Sequence, residues 1–258
     1  MISLDEIIKF YPANLHGREE FLLREYLQYK ILELIFQSNY AQQFSFLGGT
    51  CLRIVHNNQR FSEDLDFDNF DLSEEDFTSV SEMIKSGLEA EGYTVQIRNV
   101  LRGAFHCYIR FPGLLHQAGL SGHREAKILI NIDTEPQGFT YKPDIHYLNK
   151  FDVFTSLFCT PPDILLSQKL YAITNRRQPK GRDFFDAIFL MGWTKPNYQY
   201  LDYRLGVSSP TDLRKIILDK IQPFDFKFLA NDVKPFLFNP NDAMRVEQFP
   251  HYFKQAKL

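Results

Sequence analysis

The chain has 258 residues, of which 44% are hydrophobic and 24% are charged, and its formal net charge at pH 7 is −3. This composition is ordinary for a soluble globular protein of one large domain or two modest ones. No apolar stretch approaches the length of a membrane span, and three scattered cysteines argue against a disulfide framework. The N-terminus lacks the basic-then-apolar pattern of a secretion signal, so we expect a cytoplasmic protein without a membrane partner.

Hydrophobic periodicity predicts the elements of the first part of the chain. Amphipathic spacing favours a helix over residues 19–38. The elements expected after it are a strand at Phe44–Leu47, a helix at Thr50–His56, a strand at Leu65–Phe67, a helix from Ser73 to about Glu91, and strands at Tyr93–Val100, Ala104–Phe111 and Ala126–Asp133. On the last strand, the alternation predicts that Ile128, Ile130 and Ile132 face one way and Asp133 the other.

The second part of the chain is predicted to be mainly helical. A loop rich in proline, glycine and tyrosine is expected over residues 134–150, before a short strand at Val153–Cys159. Pro162 then suits the first turn of a helix, and a further helix is expected at Arg182–Met191. Beyond Trp193 the pattern is typical of helices separated by proline breaks.

The order of these elements predicts an α+β fold, with a mixed-sheet core and N-terminal helix in residues 1–155 and a helical region in residues 156–258. The charges are also divided, because residues 1–100 hold 17 Asp and Glu against 8 Lys and Arg, whereas residues 165–220 hold 10 Lys and Arg against 5 Asp and Glu. Such a division would suit a polyanionic substrate. From charge alone, chance clustering on solvated helices is the simpler interpretation.

A Gly-Gly turn is followed, after one short helix, by an Asp-x-Asp sequence. Gly48 and Gly49 allow the backbone to approach phosphate oxygens where a side chain would block it. Asp64 and Asp66 are two apart, so on a strand their carboxylates share one face, and Mg²⁺ takes carboxylate oxygens together with substrate phosphates. Either half alone also fits an ordinary turn or an exposed acidic strand. Their joint occurrence favours metal-assisted phosphoryl or nucleotidyl transfer.

Four residues near this motif each have two interpretations. Ser62 either hydrogen-bonds a phosphate or belongs to a turn that enters the strand. Arg53 either contacts phosphate or pairs with local acids, and the same holds for Arg60. Asp133 either completes a two-metal site as a third carboxylate or is a solvated residue that starts the following turn.

A second cluster of charged residues runs from Lys169 to Asp186. Lys169 falls among apolar positions of its helix, so it either snorkels or reaches into a cleft, where it would bind a triphosphate as a point charge. Asp183 and Asp186 are three apart on one helix face, and either would orient Lys169, hold a basic partner or act as a base. A charge cluster at a helix start is the alternative for Arg182 and Asp183.

Four segments taken together resemble the AbiEii/AbiGii toxin family, nucleotidyltransferase-like proteins of bacterial abortive-infection and toxin–antitoxin systems. They are Gly48–Arg53, Arg60–Phe67, Lys169–Ala172 and Arg182–Asp186, and the resemblance spans about residues 20–192. It implies a polymerase-β-like nucleotidyltransferase core followed by a helical C-terminal region. It also implies Mg²⁺, an NTP as substrate, a co-encoded antitoxin and a place in phage defence.

The residues that carry these expectations fall into three overlapping groups. Those expected to be catalytic are Asp64, Asp66, Lys169 and Asp186. Those expected to bind NTP are Gly48, Gly49, Thr50, Arg53, Ser62 and Asp183. Those expected to bind metal are Asp64, Asp66 and Asp133.

Three functional hypotheses follow from this site. The first is Mg²⁺-dependent transfer of a nucleoside monophosphate to RNA, with the 3′ end of tRNA lying along the basic residues 176–182. The second keeps the site but modifies a small molecule, such as an aminoglycoside, or a protein side chain. The third is a catalytically silent nucleotide-binding protein of the same fold, and the intact motif acids argue against it.

Overall fold

The computed structural model describes residues 2–258. The chain divides into two compact units. Unit 1 comprises Met1–Val55, Phe61–Gly138 and Pro143–Cys159, and unit 2 comprises His56–Arg60, Phe139–Lys142 and Thr160–Leu258. Within residues 2–258, none of the helices has both the length and the apolar character needed to cross a membrane.

Unit 1 is built on one seven-stranded sheet. Its strands are β1 Phe44–Leu47, β2 Leu65–Asn69, β3 Gln96–Arg102, β4 Ala104–Pro112, β5 Lys127–Glu135, β6 Asp144–Lys150 and β7 Val153–Cys159. They lie in the order β3-β4-β5-β2-β1-β7-β6. The β1–β7 and β2–β5 pairs are parallel and the other pairs are antiparallel, which confirms the predicted mixed sheet of an α+β protein.

The helices of unit 1 pack around this sheet. They are α1 Leu4–Ile8, α2 Glu19–Phe36, α3 Gly48–Ile54, α4 Glu74–Ala90 and α5 Leu114–Gln117, with 3₁₀ turns at Ala13–Leu15 and Ala41–Gln43. The helix α2 is buried on more than its apolar face, because Glu25, Gln28 and Lys30 are buried together with its leucines and isoleucines. These polar side chains need internal partners, and two of them find those partners next to the candidate site.

The start of α4 shows how local chemistry fixes one boundary. The Ser73 hydroxyl accepts a hydrogen bond from the Asp76 amide at 3.1 Å, and the Asp76 carboxylate accepts one from the Ser73 amide at 3.3 Å. This reciprocal capping satisfies two donors that the first turn leaves without helical partners. The predicted helix start at Ser73 is confirmed.

Unit 2 is mainly helical. Its helices are α6 Pro162–Asn175, α7 Gly181–Met191, α8 Tyr198–Leu205, α9 Pro210–Ile221, α10 Phe226–Val233, α11 Met244–Glu247 and α12 Phe249–Gln255, with 3₁₀ turns at Lys234–Phe236 and Pro240–Ala243. Phe184 is fully buried and contacts the rings of Phe226 and Phe249, at centroid distances of 5.2 and 4.8 Å. The segment beyond Trp193 is helical, as predicted.

Three local predictions are wrong. The predicted loop over residues 134–150 contains strand β6, which lies at the edge of the sheet. Leu148 is the one buried residue of this strand, so the alternation of apolar residues along β6 is weak. The helix α3 begins at Gly48 rather than Thr50. Asp64 lies just before β2 rather than within it, so strand alternation does not by itself place its carboxylate beside that of Asp66. The three cysteines are buried, as expected of small hydrophobic residues.

Candidate active site

A row of polar side chains crosses three neighbouring strands of unit 1. Asp66 of β2 lies directly opposite Asp133 of the parallel strand β5. Asp133 in turn lies directly opposite His106 of the antiparallel strand β4. Directly opposite residues project from the same face of a sheet, and adjacent strands are about 4.8 Å apart. The row Asp66–Asp133–His106 is therefore continuous on one face of the sheet.

Gly48 lies against the Asp66 end of this row. Its φ is +79°, a conformation that costs a residue with a side chain free energy. A Cβ atom added to Gly48 would overlap the Asp66 carboxylate and lie 2.8 Å from its Cγ. The glycine is thus required both by the turn and by the close approach of the Asp66 carboxylate.

The segment that carries Ser62 and Asp64 is held by hydrogen bonds to its backbone. The buried Gln28 side chain of α2 donates from Nε2 to the carbonyl oxygens of Ser62 and Glu63, each at 3.0 Å. The Thr50 hydroxyl of α3 donates to the carbonyl of Asp64. Three successive carbonyls are therefore fixed from two helices, Thr50 holds the backbone of Asp64, and its predicted contact with NTP stays a prediction. Ser62 itself is half-buried.

Arg53 adopts the second of its two predicted roles. Its guanidinium donates to Glu25 through Nε at 2.8 Å and Nη2 at 3.2 Å, and both residues are buried. Lys150 Nζ lies 2.9 Å from the same carboxylate and 3.9 Å from the centroid of the Tyr11 ring. Burial opposes ionisation of Glu25, but Arg53 and then Lys150 outweigh it, so the pKa of Glu25 lies below its ordinary value. The predicted contact of Arg53 with NTP therefore has no geometric support.

Asp66 and Asp133 both offer carboxylate oxygens, and oxygen atoms are the ligands that a hard divalent cation requires. The Asp66 carboxylate occupies the space that a Cβ at position 48 would fill. In the part of the chain that the structure describes, Asp64, Asp66 and Asp133 do not each bring a ligand atom within 4.8 Å of the other two. The pair that strand register brings together is Asp66 and Asp133. The chemistry of these two carboxylates fits a divalent metal ion, and the ligand roles of Asp64, Asp66 and Asp133 stay predictions.

The second predicted cluster is organised around Asp186 of α7, which is fully buried in unit 2. Arg60 donates to both of its carboxylate oxygens, through Nε at 2.7 Å and Nη2 at 2.6 Å. Asn58 donates to Oδ1 at 2.9 Å, and Lys169 Nζ lies 2.8 Å from Oδ2. Burial raises the energy of the carboxylate, but Arg60 and then Lys169 more than offset it, so the pKa of Asp186 is lowered.

The four donor groups bound to Asp186 favour one of its predicted roles over the others. A carboxylate with no solvent exposure and four bound donor groups is poorly placed to take a proton from a substrate. It is well placed to hold Lys169. Asp183, also buried, lies 3.4 Å from Lys169 Nζ and 3.0 Å from Nε of the exposed Arg176. The geometry favours a positioning role for both acids, and phosphate binding by Lys169 stays a prediction.

Sequence reasoning missed two residues of unit 1. Gln28 is hidden in the helical pattern of α2, and only its buried amide reveals that it holds the Ser62–Asp64 segment. His106 lies on a correctly expected strand, but its position opposite Asp133 depends on the β4–β5 register. Residues 113–126 separate these strands, and a connection of that length does not fix a register from sequence.

Comparison with known proteins gives the family and the fold. The sequence matches, over residues 30–244, the family model described as nucleotidyl transferase AbiEii toxin, Type IV TA system. The structure is similar to MenT4, a nucleotidyltransferase toxin from Mycobacterium tuberculosis, with 15% identity and a TM-score of 0.61 over 100% of this chain and 91% of that chain. It is also similar to JHP933 from Helicobacter pylori, with 16% identity and a TM-score of 0.56 over 91% of this chain and 92% of that one. No curated protein sequence matches the chain.

Proposed function

Since the chain belongs to the AbiEii family of nucleotidyltransferase toxins from type IV toxin–antitoxin systems, we propose that it moves a nucleoside monophosphate from an NTP to an acceptor hydroxyl in a Mg²⁺-dependent reaction. The observation that carries this proposal is the register of β2 and β5, which sets Asp66 opposite Asp133 on the face where Gly48 approaches the Asp66 carboxylate. Two carboxylates beside a glycine turn provide what metal-assisted transfer to a triphosphate substrate needs.

Each residue of unit 1 has a defined task in this proposal. Asp66 and Asp133 provide the oxygen ligands for Mg²⁺, with Asp64 as a further ligand. When bound, Mg²⁺ neutralises charge on the triphosphate and polarises the phosphoryl group. Gly48, together with Gly49, lets the triphosphate lie against the backbone, and Ser62 donates its hydroxyl to a phosphate oxygen.

The residues of unit 2 provide charge. Lys169 offsets charge on the phosphates during transfer, and Asp186 and Asp183 keep its ammonium group in place. The contact of Lys169 with the phosphates stays a prediction of this proposal. Because Asp186 is saturated with donors, the proton of the acceptor hydroxyl goes to another base or to solvent.

We propose RNA, through the 3′ end of tRNA, as the acceptor. The support is the exposed basic loop after α6, which contains Arg176 and Arg177 and leads to Lys180. Exposed basic side chains contact nucleic-acid phosphates without regard to sequence. Membership of a type IV toxin–antitoxin family implies a co-encoded antitoxin. Defence against phage and a cytoplasmic location belong to the same proposal.

The proposal is tested by incubating the purified protein with labelled NTPs, Mg²⁺ and total tRNA. The wild-type protein is expected to label the 3′ ends, and Asp66→Asn is expected to abolish labelling. Asp71→Asn provides a matched control, because Asp71 is exposed in the same acidic segment and its φ of +58° suits asparagine. Equal labelling by the wild-type and Asp66→Asn proteins would refute the proposed site, and labelling only with a different acceptor pool would refute RNA as the acceptor.

A further inference from the structure

His106 pairs with one of the two carboxylates of the proposed metal site. Its Nδ1 lies 2.6 Å from Oδ1 of Asp133, and the two residues are directly opposite each other on β4 and β5. A carboxylate that binds a metal ion accepts hydrogen bonds and donates none, so we assign the proton of this bond to Nδ1 of the imidazole. The short distance is typical of a charge-assisted hydrogen bond.

The hydrogen bond between His106 and Asp133 matters because a second carboxylate lies on the other side of Asp133. Asp66 lies directly opposite Asp133 on β2, and two carboxylates in that arrangement repel each other. Without a hydrogen-bond donor, the Asp133 carboxylate would reduce this repulsion by turning away from Asp66. A donor on the far side of Asp133 offsets the repulsion and fixes the plane of its carboxylate.

We propose that His106 is a positioning residue that holds the Asp133 carboxylate beside Asp66 for a divalent metal ion. The inference rests on the proposed function and extends it to a residue that no motif of the chain includes. Carboxylates that bind metal are commonly oriented by such hydrogen-bonded partners, and loss of the partner weakens metal binding about 10- to 100-fold.

The position of His106 separates this role from a purely structural one. The His106 and Asp133 side chains are 33% and 35% exposed, so the pair lies outside the buried core. Substitution of His106 is therefore expected to leave the sheet folded. Its effect should fall on metal affinity, and an asparagine at this position, which keeps a donor near the place of Nδ1, should restore that affinity.

The test uses Mn²⁺ as the probe, with free Mn²⁺ measured by electron paramagnetic resonance in the absence of substrates. His106→Ala is expected to bind Mn²⁺ about 10- to 100-fold more weakly than wild type, and His106→Asn to bind within a few fold of it. His123→Ala, at an exposed histidine of the same unit, serves as the control and should bind as wild type does. In the transfer assay, raising the Mg²⁺ concentration should restore activity to His106→Ala, which a structural defect would not allow.

The outcomes distinguish this inference from the function on which it rests. If Asp66→Asn loses Mn²⁺ binding while His106→Ala binds as wild type does, the positioning role is wrong and the proposed metal site stands. Loss of binding in both His106→Ala and His106→Asn would also overturn the role, because the hydrogen bond would not be what matters. If Asp66→Asn binds Mn²⁺ as wild type does, the metal site itself is wrong.

Discussion

The buried charge cluster around Asp186 makes a strong prediction about stability. Replacing Asp186 with asparagine keeps the shape of the side chain but removes the negative charge. Arg60, whose side chain is 1% exposed, and Lys169, at 13%, are then left without their main counter-charge. Removing one partner of a buried ion pair costs about 3–5 kcal/mol. At about 2–4 °C per kcal/mol for a protein of this size, the melting temperature should fall by about 6–20 °C.

The assay is thermal unfolding followed by circular dichroism at pH 7. Asp219→Asn is the matched control, since Asp219 is exposed on α9 of the same unit, and its effect should stay within about 0.5 kcal/mol. A double-mutant cycle with Arg60→Met should show strong non-additivity, because the second substitution removes the stranded cation. A melting temperature for Asp186→Asn within about 1 °C of wild type would refute the reasoning.

Three further predictions concern pH, the Ser62–Asp64 segment and the glycine turn. Because the folded-state pKa of Asp186 is lowered, its contribution to stability is fully present above the unfolded value of about 4 and is lost as the pH falls through the folded pKa. The difference in melting temperature between wild type and Asp186→Asn should therefore be largest above about pH 4 and shrink as the pH falls below it. Gln28→Ala should lower kcat about 10- to 100-fold, because it releases two carbonyls of the Ser62–Asp64 segment. Substitution of the exposed Gln37 by alanine should leave kcat unchanged. A kcat of Gln28→Ala equal to that of wild type would contradict the positioning role of Gln28. Gly48→Ala should lower activity about 100-fold, because the added Cβ overlaps the Asp66 carboxylate. Gly92 has a φ of +94° and nothing within 4 Å of an added Cβ, so the control Gly92→Ala should lose stability and keep its activity. Full activity in Gly48→Ala would contradict the close approach of Asp66.

Sequence predicted the elements whose pattern is local. The helix over residues 19–38 is observed as Glu19–Phe36, and the strand at Phe44–Leu47 has the predicted bounds. Both are long or strongly apolar, so their periodicity is clear. Periodicity did not reveal the edge strand β6, because this strand pairs on one side only and exposes most of its residues.

The chemistry of the site was predictable in part, for a related reason. Asp66 and Gly48 belong to one short segment, so residue type and spacing indicated their proximity. The ion pair of Arg60 with Asp186 joins residues 126 positions apart, and the sequence around neither residue indicates the pairing. The same holds for His106 and Asp133, 27 positions apart, which meet only through strand register. Long-range partners of charged residues therefore had to come from the fold.

The central claim is that Asp66 and Asp133 together bind a divalent metal ion. Crystals of the protein grown with Mn²⁺ and a non-hydrolysable NTP analogue allow the ion to be located by anomalous diffraction. We expect an anomalous peak in contact with carboxylate oxygens of both residues. A peak that touches neither carboxylate, or no peak on this face of the sheet, would contradict it.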